Sequence, residues 1–332
     1  MIFLLVILLI PLVGLLYQAL GSALDLRRYP PPGRLIDVGG HRLHMHTEGQ
    51  GTPVVVLEAG IAASSVSWRL VQDRVASFTT VIAYDRAGLG YSDPSPQPRT
   101  IANILQDFQT LLGKRGIPTP IILVGHSFGG LAALEYACTD KSRLAGLVLV
   151  DPLAASEWCP VQPQSQVMLD RGVRLARRGA WVARLGIVRL SLDLLRAGSR
   201  RIPKLAAKIS SGSGSQLTER LVGEVLKLPK ELWPVVQSHW CQPKAFLSMA
   251  DHLESLPASA AACRSACDLG DLPVTVLSGA NSAANRLAEH QAMANRSTRG
   301  KLVIAQNSGH WIQLDEPDLV VAAVREIIQA LR

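Results

Sequence analysis

At 332 residues, with 48% hydrophobic and 18% charged side chains, the chain can bury a full-sized core, which excludes a disordered polypeptide. Its 27 Gly and 20 Pro fall without period, which excludes a collagen-like repeat. The formal charge is +8, and residues 153–210 hold eleven Lys/Arg against three acids, enough to match the whole excess. No nucleic-acid-binding motif accompanies that charge, so no nucleic-acid partner is expected. Five scattered cysteines are too few for a disulfide scaffold, and Cys263 with Cys267 lacks the second pair or His cluster that a zinc site needs.

In chain order, residues 1–20 (MIFLLVILLIPLVGLLYQAL) carry no charge, and roughly 20 apolar residues can cross a bilayer as one helix. A cleaved signal peptide is the rival reading, but no Lys or Arg precedes the run. The expectation is an uncleaved single-pass membrane anchor over 1–24, with Arg27, Arg28 and Arg34 placing the main domain in the cytoplasm and an exported domain as the other reading. Residues 25–34, with three consecutive prolines, form a stiff extended spacer.

Short β-rich runs then alternate with helical stretches. Residues 35–38 and 42–46 flank Gly39-Gly40, a hairpin signal. Runs at 54–57, 81–84, 121–124, 147–150, 274–277 and 302–304 are nearly continuously apolar, as strands of a parallel sheet buried on both faces should be. Eight strands with interleaved helices predict a doubly wound, mostly parallel α/β sheet split over 35–151 and 273–332. Residues 152–272 hold no convincing strand and predict a helical cap inserted after the sixth strand.

The strongest chemical signal follows the fifth strand, where Gly125-His126-Ser127-Phe128-Gly129 joins strand to helix. A Gly-x-Ser-x-Gly turn in that context lifts a Ser hydroxyl clear of the backbone at a helix N-terminus. With Asp85-Arg86-Ala87-Gly88-Leu89-Gly90-Tyr91-Ser92 after the fourth strand and Ser308-Gly309-His310 after the last, the chain resembles the α/β-hydrolase family. The resemblance runs from residue 35 to 331 and implies a Ser–acid–His triad, an acyl-enzyme and no metal or organic cofactor. The Ser nucleophile speaks against dehalogenase or epoxide-hydrolase chemistry, for which the family uses Asp.

Within it, Ser127 is the expected nucleophile and His310, alone at the end of the last strand, the expected base. The acid departs from the commonest pattern, because Ser282 stands where many relatives place Asp after the seventh strand. Asp151, ending the sixth strand and followed by Pro152, is the expected triad acid, with Glu289, Asp268 and Asp271 as fallbacks and a plain Asp-Pro turn as the other reading. The oxyanion hole is expected from the backbone N–H groups of Phe128 and Ile61. Asp85 is expected to be architectural, and His41, His44, His46, His126, His239, His252 and His290 to be structural.

These readings point to a membrane-anchored serine hydrolase acting on a small-molecule carboxylic ester, with hydrophobic or lipid-like esters among the candidates and thioester hydrolysis or acyl transfer open to the same residues. The Arg-rich, apolar segment around 168–209 could contact anionic lipid or be an ordinary solvated surface, and Ser210–Ser215 reads as a flexible joint. A non-catalytic ligand-binding relative is the alternative class.

Overall fold

The computed structural model describes residues 2–196, 227–263 and 267–331. Eight strands form one sheet: β1 (Arg34–Asp37), β2 (Arg42–Glu48), β3 (Val55–Glu58), β4 (Val81–Tyr84), β5 (Ile121–His126), β6 (Leu144–Val150), β7 (Val274–Gly279) and β8 (Gly300–Ala305). Their order is β1-β2-β4-β3-β5-β6-β7-β8, with β1–β2 and β2–β4 antiparallel and every other pairing parallel. The apolar runs are continuous because both faces are covered. Val56 and Leu123 pack with Phe108 and Leu111 of α3 (Ile101–Lys114) and Ala133 of α4 (Phe128–Thr139). Val55 and Leu57 turn the other way, onto Trp68, Val71 of α2 (Arg69–Val75) and the apolar face of the C-terminal helix Pro317–Ala330.

Between β6 and β7 the chain is helical, with no strand among the described residues: α5 (Pro163–Arg184), α6 (Ile187–Arg196), α7 (Trp233–Trp240) and α8 (Pro243–Ala262). Leu169 of α5 and Leu253 and Leu256 of α8 pack onto Phe128, Leu131 and Ala132 of α4, which seats these helices at the carboxyl ends of the central strands. The Ser210–Ser215 joint and Arg200, Arg201, Lys204 and Lys208 of the basic run lie outside the described residues. Of the rest of that run, Arg177 pairs with Glu254, Arg189 with Asp25, and Arg184 lies 4.8 Å from the Trp181 ring, so these charges are engaged within the protein.

The amino-terminal segment corrects an expectation. It forms α1 (Ile2–Arg28), one helix that also takes up the start of the predicted spacer. Among the described residues no helix is long and apolar enough to cross a membrane, so the single-pass anchor, the membrane localisation and the lipid contact expected through it are not upheld. The physical reason lies on one face of α1. The Gln18 amide donates to the Cys241 carbonyl at 2.9 Å, Tyr17 donates to Asp193 at 2.6 Å, and Asp25 accepts from the buried Arg189 at 2.6 Å. A Cβ at Gly14 would lie 2.4 Å from the Leu185 carbonyl oxygen, so α1 sits directly on the α5–α6 turn. Hydrocarbon supplies no such polar partners, whereas the inserted helices do.

One cross-link joins distant parts of the chain. Cys138, near the end of α4, is disulfide-bonded to Cys267, which precedes β7, across 129 residues with the Cα atoms 5.5 Å apart. A loop of that length removes much freedom from the unfolded chain. Reduction, or the double substitution Cys138→Ala/Cys267→Ala, is expected to lower stability by roughly 2–4 kcal/mol, read as a lower denaturation midpoint. A midpoint that ignores reductant would show that the link adds nothing to the native state.

Candidate active site

The turn between β5 and α4 is shaped by contacts too close for a side chain. A Cβ on Gly125 would lie 2.4 Å from the Gly129 carbonyl oxygen, and one on Gly129 would lie 2.4 Å from that of Ala59. Strand and helix therefore meet at Ser127, whose φ of 54° is in the left-handed region that non-glycine residues rarely occupy. Its N–H donates to the Val150 carbonyl and its own carbonyl accepts from Leu153 N–H, both at 3.0 Å. Ser127 is thus tied to the chain on either side of Asp151. Among the described residues the non-glycine positive-φ positions are Ala62, Ser127 and Asp151, all in this region, and backbone strain of this kind gathers at functional sites.

Asp151 and His310 are brought together. The imidazole Nδ1 donates to Asp151 Oδ2 at 2.6 Å, while Asp151 Oδ1 faces Gly279 N–H at 3.3 Å and the Ser282 hydroxyl at 3.5 Å. Arg286 Nη1 lies 3.5 Å from Asp151 Oδ2 and also reaches Glu157. Burial alone would raise the Asp151 pKa; the hydrogen bond and charge of His310, with Arg286 behind them, outweigh it and bring the carboxyl down to about 2. The His310 loop is clamped to the elbow by His126, whose Nε2–H donates to the His310 carbonyl at 2.8 Å, with the two rings 4.7 Å apart. That bond fixes the His126 tautomer, and burial followed by the neighbouring His310 pushes its pKa down to about 3.

Ile61 follows β3 in a loop against the elbow: a Cβ placed on Gly60 would lie 3.5 Å from the Ser127 Cβ. Phe128 is the first residue of α4, where helix N–H groups have no intrahelical partner. Beneath both lies a buried polar group that sequence reasoning missed. Arg86 pairs with Glu58, donates to the Ala59 carbonyl at 2.6 Å and to the Gly60 carbonyl, and its Nε donates to His252 Nε2 at 3.2 Å. Tyr84 donates to the same Glu58. Burial pushes the Glu58 carboxyl up against the opposing pull of Arg86. The signal was present, since an acid ends the apolar β3 run and a base follows the adjacent β4 by two residues.

The remaining candidates fall elsewhere. Asp85 accepts from His44, Ser65 N–H and Tyr91 N–H and holds the turn after β4. His290 packs beneath Pro152, bonded to its carbonyl and to Ser278. His41 faces Asp107. Of the fallback acids, Asp268 accepts from Gly270 N–H in a turn, and among the described residues it is Asp151 that the fold brings into contact with His310.

Residues 54–323 match the model of the alpha/beta hydrolase family. Over 316 residues the chain is 25% identical to an AB hydrolase superfamily protein of Gibberella zeae, covering 84% of this chain and 87% of that one. It is 32% identical over 107 residues to YqjL, an uncharacterized protein of Bacillus subtilis, covering 32% of this chain and 42% of that one. The chain spans less than half the length of several such curated relatives. A thermophilic esterase from Thermogutta terrifontis superposes with a TM-score of 0.57 at 25% identity, covering 87% of this chain and 94% of that one.

Proposed function

The chain belongs to the α/β-hydrolase family, and we propose that within it the protein is a serine hydrolase that cleaves carboxylic esters through an acyl-enzyme. The observation that carries this reading is the Nδ1–Asp151 hydrogen bond of His310, made beside an elbow that holds Ser127 at positive φ. With Nδ1–H committed to the carboxylate, Nε2 is left as the basic nitrogen. His310 takes the Ser127 proton as the hydroxyl attacks the acyl carbonyl, and the oxyanion is received by the N–H groups of Ile61 and Phe128. The proton passes to the departing alkoxide. Water then gives a proton to the same nitrogen and attacks the acyl-enzyme, and collapse releases the carboxylic acid and restores Ser127.

The helices between β6 and β7 act as the cap in this reading. Ile61, Leu153, Trp158, Met249 and Leu253 cluster with Phe128, so the surroundings of the oxyanion residues are apolar and suit a hydrophobic acyl group. The test uses the full chain, a fluorophosphonate probe and p-nitrophenyl esters of increasing acyl length. The probe should label Ser127, and Ser127→Ala should abolish labelling and lower kcat by at least about 10⁴-fold. A folded wild type that neither labels nor hydrolyses any ester would sink the proposal and favour a ligand-binding protein of the same fold.

A further inference from the structure

The Glu58–Arg86–His252 group stands outside the triad, yet its contacts converge on the backbone that would receive the oxyanion. Arg86, 3% exposed, has five N–H donors in one rigid plane. It directs them at Glu58, at the carbonyls of Ala59 and Gly60, and at the imidazole of His252. The carbonyl of Gly60 and the N–H of Ile61 belong to one trans peptide, so they point in opposite directions. Holding that carbonyl toward the guanidinium turns the Ile61 N–H away from it. The same guanidinium lies 5.3 Å from the centroid of the Phe128 ring, which belongs to the residue expected to supply the other donor.

The fourth contact comes from the inserted helices. His252 Nδ1 donates to the Ser248 carbonyl one turn earlier in α8 at 2.6 Å, which leaves Nε2 unprotonated to accept from Arg86 Nε–H. Its ring also meets Phe128 edge to face, with centroids 5.5 Å apart. The seat of α8 and the orientation of the β3 loop are thus fixed by one side chain.

We infer that Arg86 is the positioning residue of the oxyanion hole, and that through His252 the hole is assembled only when α8 is seated on the core. This rests on the serine-hydrolase reading for its kinetic consequence, but its geometric content, the orientation of the Gly60–Ile61 peptide, is independent of it. Arg86→Lys keeps a charge opposite Glu58 and loses the planar fork that holds two carbonyls at once. Its kcat should fall by about 10²–10³-fold, the effect of losing an oxyanion donor, with KM changed little. The inhibition constant of a trifluoromethyl ketone, which forms a tetrahedral adduct, should rise in step, while that of the carboxylic acid product should not. His252→Leu should lose kcat in the same direction, and His252→Gln, which restores an acceptor for Arg86, should recover it.

Activity is expressed per site titrated with fluorophosphonate, so a merely structural role would lower the titratable fraction and the unfolding temperature without altering kcat. That result would overturn the inference. Crystal structures of wild type and Arg86→Lys supply the second readout: the Gly60–Ile61 peptide should be reoriented in the variant. An unmoved peptide overturns the inference whether or not esters are turned over. An inert wild type with a reoriented peptide in the variant would fault the proposed activity and leave the inference standing.

Discussion

Asp151→Asn is expected to lower kcat by about four orders of magnitude while leaving KM within a few-fold of wild type. The carboxylate is buried and meets His310 at 2.6 Å, so its influence reaches the reaction only through the imidazole. An Asn amide in its place can keep the Gly279 N–H on its oxygen and turn its NH₂ toward His310 Nδ1. Nδ1 would then have to accept, the ring proton would move to Nε2, and the base would be lost. Because the Asp151 carboxyl is held down to about pH 2, it stays charged across any workable range. Its protonation should therefore not limit activity above pH 4. Steady-state kinetics on a p-nitrophenyl ester checks this, and activity within tenfold of wild type would remove Asp151 from the proposed triad.

Much of the architecture was legible because parallel strands covered on both faces read as unbroken apolar runs. All eight expected strands occur, and the errors are local. The sixth was expected at 147–150 but begins at Leu144, because Ala145 and Gly146 dilute the run. Gly146 is there for packing, since a Cβ on it would lie 2.5 Å from the Ile327 side chain of the C-terminal helix. Asp151 stands out as the proposed acid from its place at a strand end, although its neighbour β7 offers only Ser282. Ser282 instead turns its hydroxyl toward Asp151.

What was not legible depends on partners distant in the chain. Hydropathy alone cannot tell a lipid-facing helix from one lying on protein. In α1 the telling feature was finer: Gln18, Ser22 and Asp25 recur at helical spacing and face Arg189 and Cys241. The Cys138–Cys267 pair spans 129 residues, and nothing in its spacing announces it. Arg86 was hidden inside a motif read as architectural, and His252 joins it from a helix 166 residues away. The positioning contacts around the site are therefore properties of the fold, whereas the proposed nucleophile and base lie in local motifs.

Acid should unfold this protein well above the range in which carboxylates titrate. Four histidines are buried and held neutral: burial lowers His126 to about 3, His239 to about 4, His252 well below its ordinary value, and His290 in the same direction. A base whose folded pKa lies below its unfolded value of about 6.5 leaves the unfolded chain binding more protons as the pH drops. Its contribution is whole above about pH 6.5 and is lost progressively toward its folded pKa. Between pH 7 and pH 5 that amounts to roughly 2 kcal/mol for each of His126 and His239, about 4 kcal/mol together, against a typical total of about 5–15 kcal/mol, and His252 and His290 act in the same direction. Denaturant midpoints should fall steeply over that interval, with at least about two protons taken up on unfolding at pH 5. His239 isolates one of them. Among the described residues neither of its ring nitrogens has a partner; its ring lies 4.5 Å from that of Tyr91, with Asp85, Lys244 and His44 as the charged and titratable groups around it. His239→Leu removes that proton site, so the variant should gain roughly 2 kcal/mol on wild type between pH 7 and pH 5. Parallel pH–stability curves for the two proteins would show that His239 is not held neutral in the folded state.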